Sequence, residues 1–114
     1  MSTVNLALPE IVTGQANTYI TQNQDLHMLD ALVMCAVVDK DLNTAPVAAT
    51  SGSVYIIGPS PTGAAWAGKA GKLAHRDGTQ WKYYTPKEGW QCFVKDENKQ
   101  YVYTGTAWVV AWSL

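Results

Sequence analysis

The stretch Asp77–Trp112, DGTQWKYYTPKEGWQCFVKDENKQYVYTGTAWVVAW, decides the fold. Asp77-Gly78 is a hairpin-turn dipeptide, since glycine takes the left-handed backbone that a tight turn demands. It leads into Trp81–Tyr84, whose aromatic rings favour a pleated strand. Thr85–Gly89 (TPKEG) then turns the chain into Trp90–Lys95, DENK turns it into Gln100–Tyr103, and Thr104-Gly105 turns it into Ala107–Trp112. Turn signals recurring roughly every 8–12 residues mark a small antiparallel sheet or barrel. Strand alternation assigns faces. Trp81 and Tyr83 share one face and Tyr84 takes the other. Tyr101 and Tyr103 share a face, as do Trp108 and Trp112 with Val110 between them.

Two more strands lie upstream, at Val54–Ile57 and at Lys72–His75, separated by a loop, GPSPTG, whose prolines remove ladder donors. Next comes GAAWAGKA, Gly63–Ala70, which has the G-x-x-x-x-G-K spacing of a phosphate-cradling loop. That motif requires a Ser or Thr hydroxyl at its eighth position for Mg²⁺, and a helix immediately after it. Ala70 has no hydroxyl, and the following residues lead to a strand. Nucleotide binding is therefore set aside, and the stretch reads as a glycine-bracketed loop with Trp66 as a core plug.

The first forty residues differ in kind. Of five Trp, six Tyr and one Phe, only Tyr19 precedes Tyr55. Leu6-Ala7-Leu8-Pro9 is extended, because the residue before a proline is pushed out of the α region, and Gly14 interrupts any regular element. Thr21-Gln22-Asn23-Gln24 has the capping-box pattern, predicting a helix from about Gln22 to Cys35 or Val38. Leu26, Leu29, Leu32, Val33 and Val37 fall at helical spacing. Met28, Ala31, Met34, Cys35 and Val38 widen the apolar surface nearly all round, which predicts burial on several sides and an oligomer interface. Asp39–Asn43 ends the helix, and Thr44–Ser53 is a small-residue linker. The expected fold is α+β, mainly β. An extended arm and one apolar helix (residues 1–43) precede an aromatic-rich antiparallel sheet or barrel (residues 44–114), as a single folding unit.

Composition narrows the function. A net charge of −1 gives no electrostatic case for nucleic acid or an anionic membrane. Charged residues make up 15%, below the usual level of about 25%, so part of the surface is expected to be covered by other copies of the chain. The start, Met1-Ser2-Thr3-Val4-Asn5, carries no basic leader or long apolar run, so a cytoplasmic origin without membrane insertion is expected. Cys35 and Cys92 are open to three readings: a disulfide, a reactive thiol, or buried small hydrophobes, of which the last is favoured. His27 and His75 stand far apart with no zinc spacing around them, and the acids Asp77, Glu88, Asp96 and Glu97 fall in turns. No catalytic residue, metal or cofactor is assigned. Most aromatics read as core, while Trp66, Tyr84 and Trp90, beside loops, are the candidates for stacking on a sugar.

Six stretches occur in order: LALPEIVTGQAN, LDALV, VYIIG, GAAWAGKAGKLA, DGTQWKYYTPKEGWQCFVKDE and YVYTGTAWV. Together, from Leu6 to Val109, they resemble an uncharacterised domain family in tail-fibre and tail-spike proteins of bacteriophages, prophages and gene transfer agents. The resemblance implies a virion structural protein, trimeric as fibres and spikes generally are, with other virion proteins and a host surface polysaccharide as partners. It implies no catalytic residues. The chain departs from the pattern at Cys92, where a small or aromatic residue is expected. On this reading the assembly interface comprises Leu6, Leu8, Ile11, Leu26, Leu29, Leu32, Val33 and Val37. A carbohydrate-binding module without an assembly role is the alternative.

Overall fold

Turn chemistry places most of the strands. The computed structural model describes residues 3–9 and 18–113. Its elements are helix α1 (Thr18–Leu32), strands β1 (Ala36–Val37) and β2 (Val54–Ile56), and a helical turn α2 (Gly63–Trp66). Strands β3 (Leu73–Asp77), β4 (Gln80–Tyr84), β5 (Gln91–Val94), β6 (Lys99–Tyr103) and β7 (Trp108–Ser113) follow. Asp77 pairs with Gln80, leaving Gly78-Thr79 as the two-residue loop, with Gly78 at φ 63°. Gly105, at φ 102°, serves the β6–β7 turn in the same way.

The strands form two open sheets and, among the described residues, no closed barrel. One has the order β1-β5-β6-β7, with β1 parallel to β5 and the other pairs antiparallel. The other is antiparallel, in the order β2-β3-β4. The segment around β1 is stitched into both. Phe93 N–H donates to Cys35 O (2.9 Å) and Lys95 N–H to Val37 O (2.9 Å), on the side of the first sheet. On the other side Val38 N–H donates to Val54 O (2.8 Å) and Ile56 N–H to Asp39 O (3.1 Å).

Alternation along β2–β4 divides the interior in two. Val54, Ile56 and Leu73 face a core shared with Ala31, Cys35, Val37, Cys92, Val94 and Tyr101, and Tyr84 packs against it. Tyr55, Ile57 and Ala74 face a second core around Trp66, with Trp81 and Tyr83 packed against it. The expected split of Trp81 and Tyr83 from Tyr84 is what the strands show.

Three expectations need correction. The helix starts at Thr18, so Thr21 lies within it rather than capping it, and it ends at Leu32 rather than at Cys35 or Val38. Met34 takes a left-handed backbone (φ 54°), which stops the helix, and the β-branched run beyond continues as strand. Val37 is accordingly a core strand residue, fully buried. Secondly, Gly63–Ala70 is not all loop: α2 occupies Gly63–Trp66, ahead of Gly68-Lys69 rather than behind it. Thirdly, the β6–β7 register shifts between Gln100 and Tyr101, with Tyr101 opposite Val110 but Gln100 opposite Trp112. The residue squeezed out, Ala111, makes a bulge that sends Trp112 to the face opposite Trp108.

Candidate functional site

Three features could meet a partner: the docked arm, an apolar face running from α1 onto the first sheet, and an aromatic cleft. The arm is held chiefly by one carboxylate. Asp30, buried on α1, accepts the backbone N–H of Asn5 (2.8 Å) and that of Leu6. Asn5 returns its side-chain amide to Asp30 O (3.2 Å) and Gly52 O (2.9 Å). The arm is not extended as expected: residues 4–6 form a turn and Ala7 takes a left-handed backbone (φ 55°), so that Thr3 closes the arm on itself, its N–H donating to Leu8 O (2.9 Å) and its Oγ1 accepting from Leu8 N–H (2.8 Å). Gly52 sits at φ 93°, and a Cβ there would collide with the Val4 side chain. Burial alone would raise the Asp30 carboxyl, but hydrogen bonds from Thr3, Asn5 and Leu6 together hold it below its ordinary value.

The apolar face follows from how α1 lies on the sheets. The helix buries Asp30 and Ala31, half-buries Leu26, His27 and Leu32, and leaves Met28, Leu29 and Val33 exposed, with Met34 just beyond its end. Met34 is 89% exposed. Next to it, Ala36, Phe93, Gln100 and Trp112 form one row across all four strands of the first sheet. That row lies on the face opposite Cys92 and Tyr101, and the Phe93 and Trp112 rings approach to 6.2 Å. A groove of about 500 Å³ joins helix end to sheet, lined by Leu32, Met34, Ala36, Phe93 and Gln100 among others.

The cleft is built where β7 returns to the second sheet. Trp108 Nε1–H donates to Gly71 O (3.0 Å), pinning the start of β7 beside the approach to β3. Tyr103, cross-strand from Trp108, holds its ring 5.1 Å away at 58°, making an aromatic corner. Lys40, Asp41, Pro59 and Thr106 complete a cleft of about 440 Å³. Lys40 is tied to Asp41 (3.1 Å) and Glu97 (3.6 Å), which fixes its ammonium near the Tyr101 ring.

The sequence-derived candidates divide among these features. Leu6 and Leu8 lie half-buried in the arm, whose described part docks on its own chain; Ile11 falls outside the described residues. Leu29 and Val33 are on the exposed face, Leu26 and Leu32 flank it, and Val37 is within the core. Trp66 is 0% exposed, enclosed by Tyr55 at 5.8 Å and Trp81 at 5.4 Å, so its ring has no face to offer a ligand. Tyr83 O–H donates to Ala65 O (2.6 Å), closing α2 over it. Tyr84 and Trp90 are half-buried against the first core. The Tyr103–Trp108 corner was not singled out from sequence, because it depends on where the β6–β7 turn sits against Gly71. The histidines, far apart in sequence, come together with ring centroids at 6.2 Å. No three His, Cys, Asp or Glu residues converge in a metal-binding cluster among the described residues, and no described helix is long and apolar enough to cross a membrane.

None of the curated proteins compared with the chain matches it. A family profile does match, over residues 22–109, which takes in most of α1, strands β1 to β6 and the first two residues of β7. The chain belongs to that family, the one described as a protein of unknown function, DUF2793.

Proposed function

We propose that this chain is a non-enzymatic structural protein of a bacteriophage virion, of tail-fibre, spike or adaptor type, that self-associates, as a trimer by preference, and is displayed for host attachment. The observation that carries the reading is the apolar face of Met28, Leu29, Val33 and Met34 continuing onto Phe93 and Trp112. Patches of this kind on a small domain mark interaction surfaces. The ordered resemblance of six stretches to tail-fibre and tail-spike proteins supplies the virion context. Light scattering coupled to size exclusion tests it: the wild type runs as an oligomer at micromolar concentration, and Leu29→Glu with Val33→Glu runs as a folded monomer. A monomeric wild type that also fails to attach to virions overturns the proposal.

A second reading, glycan recognition, is favoured by the Tyr103–Trp108 corner. Ring faces stack on the C–H faces of a pyranose, while Asp41, Lys40 and Thr106 offer acceptors and donors to its hydroxyls. A glycan array compares wild type with Tyr103→Ala. Binding lost in the variant supports this reading, and a wild type that binds no host polysaccharide removes it while leaving assembly intact.

A further inference from the structure

We infer that Cys35 and Cys92 form a redox modification site, an intramolecular dithiol that a low-molecular-weight disulfide closes into a covalent staple between the two halves of the chain. The register of β1 on β5 sets Ala36 opposite Phe93 and Val37 opposite Val94, which brings Cys35 opposite Cys92 one step earlier. Both side chains belong to the core side of the sheet, Cys35 at 7% and Cys92 at 1% exposure, and both are free thiols. Their sulfurs are 3.0 Å apart, with the Cys92 thiol donating to Cys35 Sγ. Non-bonded heavy atoms ordinarily settle at about 3.5–4.0 Å, and a disulfide bond is about 2.05 Å long, so closure needs a shift of about 1 Å. Adjacent strands, about 4.8 Å apart, already give an acceptable Cα separation for the bond.

Reagent access is built in. A cavity of about 300 Å³ is lined by Leu32, Cys35, Leu73, Trp90, Gln91 and Cys92. Cys35, the more exposed, meets the reagent first. Its thiolate attacks one sulfur of the small disulfide, forming a mixed disulfide and expelling one reagent thiol. Cys92 then gives its proton to solvent and attacks the Cys35 sulfur, forming the Cys35–Cys92 bond and expelling the second reagent thiol. Two protein thiols and one reagent disulfide become one protein disulfide and two reagent thiols, with two electrons passing to the reagent. In the dithiol the adjacent Cys35 thiol, and then burial, push the Cys92 thiol well above its ordinary range, which leaves Cys35 as the sulfur that reacts first.

The staple acts where pairing is shortest. β1 has two residues, and the cysteines are 57 positions apart, so one bond ties the arm, α1 and β1 to the C-terminal sheet. The inference rests on the strand register and holds whether or not the chain is a virion protein. Its test uses the full chain, incubated natively with oxidised glutathione and then denatured in an alkylating agent. Intact mass is expected to fall by about 2 Da with both thiols protected, and peptide mapping is expected to show Cys35 linked to Cys92 within one chain. The thermal midpoint is expected to rise by roughly 10 °C and to return on reduction. Cys35→Ser and Cys92→Ser should each retain an alkylatable or glutathionylated thiol. Wild-type protein alkylated at both cysteines after prolonged incubation, or linked only between chains, overturns the inference. A bond that forms without raising the midpoint overturns the staple.

Discussion

Asn5 and Asp30 grip each other twice: the Asn5 backbone N–H meets the Asp30 carboxylate at 2.8 Å, and the Asn5 amide returns to the Asp30 carbonyl at 3.2 Å. An arm of seven described residues is thereby anchored mainly through one buried acid, with Gly52 O as a further acceptor. Asp30→Ala is expected to leave the N–H groups of Asn5 and Leu6 without their acceptor and to cost about 2–3 kcal/mol in urea unfolding. Because the folded carboxyl titrates below its ordinary 3.8, its contribution is complete above that value and is lost as pH falls through the lower folded value. Proteolytic clipping of the arm should increase below pH 3.8 in the wild type, and Asp30→Ala should show no such increase.

Met34 stops α1 in a conformation that costs a side chain energy and glycine almost none. At 89% exposure it makes little packing contribution within one chain. Met34→Gly is therefore expected to raise monomer stability by about 0.5–1 kcal/mol in urea unfolding. If the apolar face is an interface, the same substitution weakens self-association in light scattering.

Trp66 fills its core but leaves its indole N–H without a hydrogen-bond partner among the described residues. Trp66→Ala is expected to cost about 3–5 kcal/mol. Trp66→Phe keeps a ring between Tyr55 and Trp81 and removes the unpaired donor, so it should cost only about 1–2 kcal/mol. Equal losses in the two variants would mean that ring volume does not govern this core.

His75 is buried at 1% exposure, with Nδ1 lacking a partner among the described residues. Burial and then His27 push its pKa below the ordinary 6.5, against the pull of Asp30 and Asp77, while Lys82 adds to the lowering. The unfolded chain thus takes up a proton that the folded chain refuses, and stability falls as pH drops below 6.5. In His75→Leu, the urea midpoint should stay level through the interval just below pH 6.5 where the wild type declines.

The strands were legible because each turn carries its own chemistry: Gly78 and Gly105 take backbone conformations that few other residues accept. The faces of Trp81, Tyr83 and Tyr84 followed from alternation alone. The end of α1 did not, because the apolar run Val33–Val38 suits a buried helix and a buried strand alike, and packing against β5 decides between them. The placement of Trp112 failed for a related reason, since one extra residue at Ala111 inverts everything after it and leaves no mark in composition. The cysteine pair and the Tyr103–Trp108 cleft rest on contacts between residues remote in sequence, which no local pattern encodes.

The double stitching of residues 35–39 sets an order on synthesis. The second sheet has all of its strands once Tyr84 has left the ribosome, but Cys35, Ala36 and Val37 must wait for β5, which ends at Val94. At about 5–20 residues per second, the 57 positions from Cys35 to Cys92 correspond to roughly 3–11 s in which β1 has its partner on the β2 side at most and none on the β5 side. Chains stalled before Gln91 should accordingly be cut by protease around residues 35–37, whereas released chains resist. A binding partner or chaperone that shields Cys35 and Val37, which the finished fold buries, has its opportunity during those seconds of translation.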